Sequence, residues 1–132
     1  MNKQLGVALL LAVLSSGVLA KWEELGNDSE NNFTTYVDPN TLRKSGTTVK
    51  MWHLMDYKKV QLPASKDAHS SKKIQTEYDC SAEKTRILYL AYHMKKMGAG
   101  TISYSDDLGG NWGPVPPESV KETLWKYACG VQ

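Results

Sequence analysis

The sequence predicts a small α+β domain that is exported and closed by one disulfide. Three observations carry this reading. Between Trp22 and Ser105, β-prone segments alternate with turn residues. Only the closing segment, after Pro116-Pro117, has a helical period. The two cysteines of the chain, Cys80 and Cys129, end a strand and that helix. Strands followed by one packed helix give an α+β layer architecture.

The amino end accounts for the export. Met1 to Gln4 is a short start carrying Lys3, and Leu5 to Leu14 is an apolar run. Ser15-Ser16-Gly17 breaks the run, and Val18-Leu19-Ala20 prepares a cut after Ala20. This order is that of a cleavable secretory signal. The apolar core is about ten residues, half of the roughly twenty that a membrane span needs. The expected division is a signal peptide over 1–20 and one domain over 21–132, with no membrane span after cleavage. The expected location is the periplasm or the medium.

Trp22 to Gly26 reads as a first strand and Asn27 to Asn32 as a polar turn, because Asn, Asp and Ser bond their own backbone. Phe33 to Val37 is a second strand, ended by Asp38-Pro39-Asn40. Thr41 to Lys44 reads as a connector and Ser45-Gly46 as a turn. Thr47 to Tyr57 is the longest strand. Its odd set, Val49, Met51, His53, Met55 and Tyr57, is the more apolar and is expected to face the core. Its even set, Lys50, Trp52, Leu54, Asp56 and Lys58, faces the other way, since a strand alternates its side chains.

Gln61 to Ala68 reads as a loop. From Ser71 to Cys80 the inward set is Ile74, Thr76, Tyr78 and Cys80. Ser81 to Lys84 is a hairpin connection. Thr85 to Lys95 is apolar on both faces, as in a central strand. Gly98-Ala99-Gly100 turns into Thr101 to Ser105, and a Gly/Pro-rich loop runs from Asp106 to Pro116. The helix is expected to begin at Pro116-Pro117-Glu118-Ser119 and to stop at Gly130. Its inward stripe is Val120, Leu124, Tyr127 and Ala128, at helical spacing.

Two cysteines in an exported chain allow one pairing, Cys80 with Cys129. The helix must then lie across the inward face, with the two Cα atoms about 4.4–6.8 Å apart.

Charge and motif content exclude several functions. The formal charge is +2, and loss of Lys3 with the signal leaves it near neutral. The basic pairs Lys58-Lys59, Lys72-Lys73 and Lys95-Lys96 are scattered, so no nucleic-acid partner is expected. The paired acids Glu23-Glu24 and Asp106-Asp107 are chain neighbours. On a strand they point to opposite faces and make no acid/base pair. With no nucleophile elbow, metal-spaced His pair or phosphate loop, no catalytic, cofactor or metal residues are assigned, and the protein is not expected to be an enzyme.

His53 has two readings. It is either a hydrogen-bonded core histidine or a haem or metal ligand helped by Met51, Met55, His93 or Met94. Trp52, Leu54 and Trp112 form the candidate interaction surface, because exposed aromatic and apolar groups make contact anchors. The same apolar patch predicts a weak homodimer.

Taken together, Tyr36-Val37-Asp38-Pro39, Val49-Lys50-Met51-Trp52, Asp56-Tyr57, Glu77-Tyr78-Asp79-Cys80, Met97-Gly98, Trp112-Gly113-Pro114-Val115-Pro116-Pro117 and Leu124 to Gly130 resemble the bacterial surface-adhesin protein E domain. The resemblance spans nearly all of 21–132. It implies an antiparallel sheet of about six strands with a carboxy-terminal helix across one face, joined by a disulfide. The family's namesake is a surface lipoprotein of a respiratory pathogen. Its likeness implies adhesion to host matrix and serum proteins, with haem binding also ascribed to it. Lys21 stands here where the namesake carries a lipid-bearing Cys, so a soluble periplasmic or released protein is expected. No ligand residues carry over.

Two functional classes remain open at this point. One is a non-enzymatic envelope module, adhesin-like, that binds an unnamed protein partner. The other is a haem- or metal-binding envelope protein.

Overall fold

The computed structural model describes residues 21–64, 67–107 and 109–132, and the expected signal segment lies outside them. Its strands are β1 (Glu23–Asp28), β2 (Phe33–Val37), β3 (Arg43–Ser45), β4 (Thr48–Gln61), β5 (His69–Asp79), β6 (Lys84–His93), β7 (Ile102–Asp106) and β8 (Gly113–Pro114). One helix, α1 (Val120–Cys129), closes the chain. All pairings are antiparallel, and six strands form the main path in the order β1-β2-β4-β5-β6-β7. The short β3 and β8 pair with β4 and β6. No described helix is long and apolar enough to cross a membrane.

Several boundaries differ from the sequence reading. β1 runs on to Asp28, whose carboxylate accepts hydrogen bonds from the backbone and side-chain amides of Asn31 at 3.0 and 2.8 Å. The 41–44 connector contains a strand, because Arg43 to Ser45 folds back onto Lys50 to Thr48. β4 continues to Gln61, which pairs with His69 after an irregularity beyond Asp56. Pro116 and Pro117 precede the helix rather than start it. Glu118 takes a left-handed φ of 58°, so helical backbone begins only after Ser119. The Ser119 hydroxyl caps α1 by accepting from Glu122 N–H at 3.1 Å, which satisfies one of the unpaired first-turn donors. Gly130 ends α1 with φ 68°, as expected of a glycine C-cap.

The helix lies on the face that carries the odd set of β4. Leu124, Trp125 and Ala128 pack on Val37, Val49, Met51 and Tyr78 to form the core. All four residues of the expected stripe lie on this face, Leu124 and Ala128 buried and Val120 and Tyr127 half-buried against the core, and Trp125 joins them as a buried residue that the stripe did not include. Trp125 stands beside Leu124 at the end of the sheet, where its indole N–H donates to Asp79 O at 2.8 Å. A buried Trp thereby keeps its one polar atom paired. Cys80 and Cys129 are bonded, with Cα atoms 5.6 Å apart, so the last turn of α1 is fastened to the end of β5.

Candidate functional site: the open face of the sheet

The face away from the helix is built in rows across β4, β5 and β6. The pairings set Lys50–Glu77–Arg86, Trp52–Gln75–Tyr89, Leu54–Lys73–Ala91 and Asp56–Ser71–His93 side by side. One irregularity decides this composition. Thr76 pairs with Ile87 while Gln75 pairs with Tyr89, so Leu88 is an extra residue in β6. A bulge of this kind reverses which residues face which side. Thr85 and Ile87 therefore look toward the helix, whereas Tyr89, Ala91 and His93 look toward the open face. Simple alternation could not assign Tyr89 or His93, and the apolar look of β6 on both sides was the only trace.

The two outer rows are tied down. At one end, Arg86 Nε donates to Glu77 Oε1 at 2.6 Å, and Thr48 Oγ1 donates to Glu77 Oε2 at 3.2 Å. The Arg86 guanidinium also lies 4.7 Å from the centre of the Trp112 ring, a cation–π contact. At the other end, the short 3-10 turn Lys96–Gly98 folds onto the face. Met97 N–H donates to Asp56 Oδ1 at 2.7 Å, Gly98 N–H to Ser71 Oγ at 2.9 Å, and Ser71 O–H to Lys95 O at 2.7 Å. Lys96 Nζ reaches Asp56 Oδ2 at 3.5 Å. The turn needs glycine at 98: φ there is 69°, and a Cβ would sit 3.2 Å from Leu54 Cδ1 and collide with the Lys73 side chain.

This turn corrects one expected surface residue. Leu54 has no exposed area, because the Lys96–Gly98 turn covers the row it belongs to. Trp52 and Trp112 remain accessible, the first half-buried and the second exposed. Trp52 meets Tyr89 edge to face, with ring centres 5.5 Å apart. Between the two tied rows lies a depression of about 450 Å³. Trp52, Tyr89, Ala91 and Ile102 supply apolar wall, and Lys73, Gln75 and Asp107 supply polar rim. His93 lines it too, with its ring buried. Burial, and then the charge of Lys73, lower its pKa.

The residues named for a haem or metal are not brought together. Met51, His53 and Met55 belong to the helix side, whereas His93 belongs to the open side. Met94 points to solvent. No cluster of three or more His, Cys, Asp or Glu able to hold a metal ion occurs among the described residues. His53 is buried as the core reading expects, but its Nδ1 has no hydrogen-bond partner. Burial lowers its pKa to about 4.

Comparison with known proteins agrees with this architecture. A crystal structure of protein E from non-typeable Haemophilus influenzae superposes with a TM-score of 0.62 at 12% identity, covering 87% of this chain and 79% of that one. The selenomethionine form of Haemophilus influenzae protein E gives a TM-score of 0.63 at 12% identity, covering 86% and 88%. A second crystal form gives 0.62 at 11% identity, covering 84% and 97%. At such identities the likeness establishes the fold. No curated protein sequence matches the chain. The sequence profile described as surface-adhesin protein E matches residues 22–130, nearly the whole of the described domain, and the chain therefore belongs to the surface-adhesin protein E family.

Proposed function

We propose that this chain is an exported, non-enzymatic envelope protein that binds another protein through the open face of its sheet. The observation that carries the reading is the half-exposed pair Trp52–Tyr89 in a depression of about 450 Å³, on a face that the helix leaves uncovered. Aromatic groups in such a setting dominate contact energies, while a polar rim excludes water around them. Trp112 on Arg86 extends the surface toward β8. Met97 and Ile102, both exposed, extend it toward the other end. Membership of an adhesin family supports a protein ligand of the host surface. The Cys80–Cys129 bond suits an oxidising compartment.

The same patch is proposed to support weak self-association. Both uses would compete for Trp52, so a bound partner should displace the second copy.

Solid-phase binding of the purified protein to a panel of host matrix and serum proteins tests the reading. The expected result is saturable binding to at least one of them, lost in the double variant Trp52→Thr, Trp112→Ala with its circular dichroism unchanged. Equal binding by the variant would place the contact elsewhere, and no binding across the panel would remove the adhesin reading. Export is tested apart from this: the intact mass from an envelope or culture fraction should begin at Lys21.

A further inference from the structure

We propose that the cavity under the first turn of α1 binds a small, single-headed anionic amphiphile, with its apolar body inside and its head at Lys121. This site lies on the opposite side of the sheet from the protein-binding face and is independent of it.

The cavity measures about 240 Å³. Close-packed interiors hold few voids larger than a water molecule, and an apolar cavity of roughly 150 Å³ is already enough to take up benzene. Its floor is Met55, Ile74 and Ile87, and its roof is Val120 and Leu124 of α1. The sole ionisable group in the wall besides the Lys121 rim and the Tyr78 phenol is His53. Burial keeps that imidazole neutral down to about pH 4 and raises the Tyr78 pKa. The interior is therefore uncharged at neutral pH, and an ion would lose its hydration there without compensation. A ligand must bring an apolar body.

The mouth has the opposite character. Lys121 is exposed on the first turn of α1 and makes no ion pair among the described residues. An ammonium at the rim of an apolar cavity selects a carboxylate or sulfonate head that stays in water.

Two further observations fit a site better than a packing flaw. His53 Nδ1, on a residue of the cavity wall, is buried with no hydrogen-bond partner. Buried polar groups are nearly always paired, so an orphan calls for an explanation. The orphan at this wall accords with a cavity that the chain's own side chains do not fill. The helix is also held unevenly. Its carboxy-terminal half is fixed by Trp125, Ala128 and the Cys129 bond, whereas Val120 at the other end is half-buried over the cavity.

Calorimetric titration of the purified, disulfide-bonded protein with decanoate and with decanol tests this. Saturable one-to-one binding of decanoate is expected, with NMR shifts at the methyl groups of Met55, Ile74, Ile87 and Val120. Lys121→Glu, a surface change that leaves the core intact, should weaken decanoate about tenfold and leave decanol unchanged. Ile87→Trp should fill the space and abolish both. No saturable decanoate binding, or decanoate binding indifferent to Lys121→Glu, would overturn the proposal, as would methyl shifts confined to the open face.

Discussion

On the helix side of the sheet, Val49, Met51 and Tyr78 lie under Leu124, Trp125 and Ala128. On the other side, Trp52 and Tyr89 stay half-buried, and the nearest cover is the three-residue turn at Lys96–Gly98. Both faces arise from the same strands, with the alternation of β6 reversed at the Leu88 bulge. They differ in what finishes them. One is closed by a ten-residue helix, fastened by a disulfide and by an indole hydrogen bond. The other is closed only where backbone amides of the turn reach Asp56 and Ser71. Stability and recognition are thereby separated in space: the first face holds the fold, and the second can change its contacts at small cost to it.

This division has its largest consequence at Trp125. The side chain is 6% exposed and is packed in the core. Trp125→Ala should cost about 3–5 kcal/mol, the usual range for emptying a core aromatic site, and it also leaves Asp79 O without its donor. A domain of this size has a net stability of roughly 5–15 kcal/mol, so the variant should approach unfolding. Urea denaturation at neutral pH measures this. A loss below about 1 kcal/mol would mean that the helix does not close the core, and the contrast between the faces would fail.

Acid sharpens the same comparison. His53 has a folded pKa of about 4 against an ordinary value of 6.5, because burial disfavours the charged ring. Its neutral form is the one the fold accepts, so its contribution is complete above pH 6.5. The contribution is lost as pH falls toward 4, because the unfolded chain takes up the proton first. The shift corresponds to about 3 kcal/mol across that window. His93, on the open face, shifts in the same direction. His53→Leu should flatten most of the acid slope between pH 6.5 and 4, as read from urea midpoints. An unchanged slope would mean that His53 is not held neutral by the helix-side core.

The sequence displayed the helix-side face well and the open face poorly, for reasons that lie in particular residues. Period-two alternation in β4 and β5 placed Val49, Met51, His53, Tyr78 and Cys80 on one side, and the structure keeps them there. With the two cysteines it also located the helix. Trp125 shares a helical face with Leu124 and Ala128, and a stripe centred on Val120 and Tyr127 passes it by. On the open face, the bulge at Leu88 reversed the sides of β6 and concealed Tyr89 and His93. Leu54 lies buried because the 94–101 connection folds over it through contacts such as Met97 N–H to Asp56, 41 residues distant in sequence. Long-range cover of this kind leaves no periodic mark.

The smallest expected effect is the one on which the functional contrast depends. Trp52 is half-buried, and its ring meets Tyr89 edge to face, an arrangement worth about 0.5–1.5 kcal/mol beyond burial. Thr keeps the β propensity of the position. Trp52→Thr should therefore lower stability by only about 1–2 kcal/mol. The strand is held by backbone bonds, and the Trp52 amide N–H also donates to Thr41 Oγ1 at 3.0 Å, a bond that any residue at 52 can make. Melting curves of Trp52→Thr and Trp125→Ala, measured together, put the comparison to a direct test. If the first variant loses as much as the second, the open face is a second core and must be covered in the native assembly by a permanent partner or a second copy. If it loses little while partner binding falls at least tenfold, recognition and stability reside on opposite sides of one sheet.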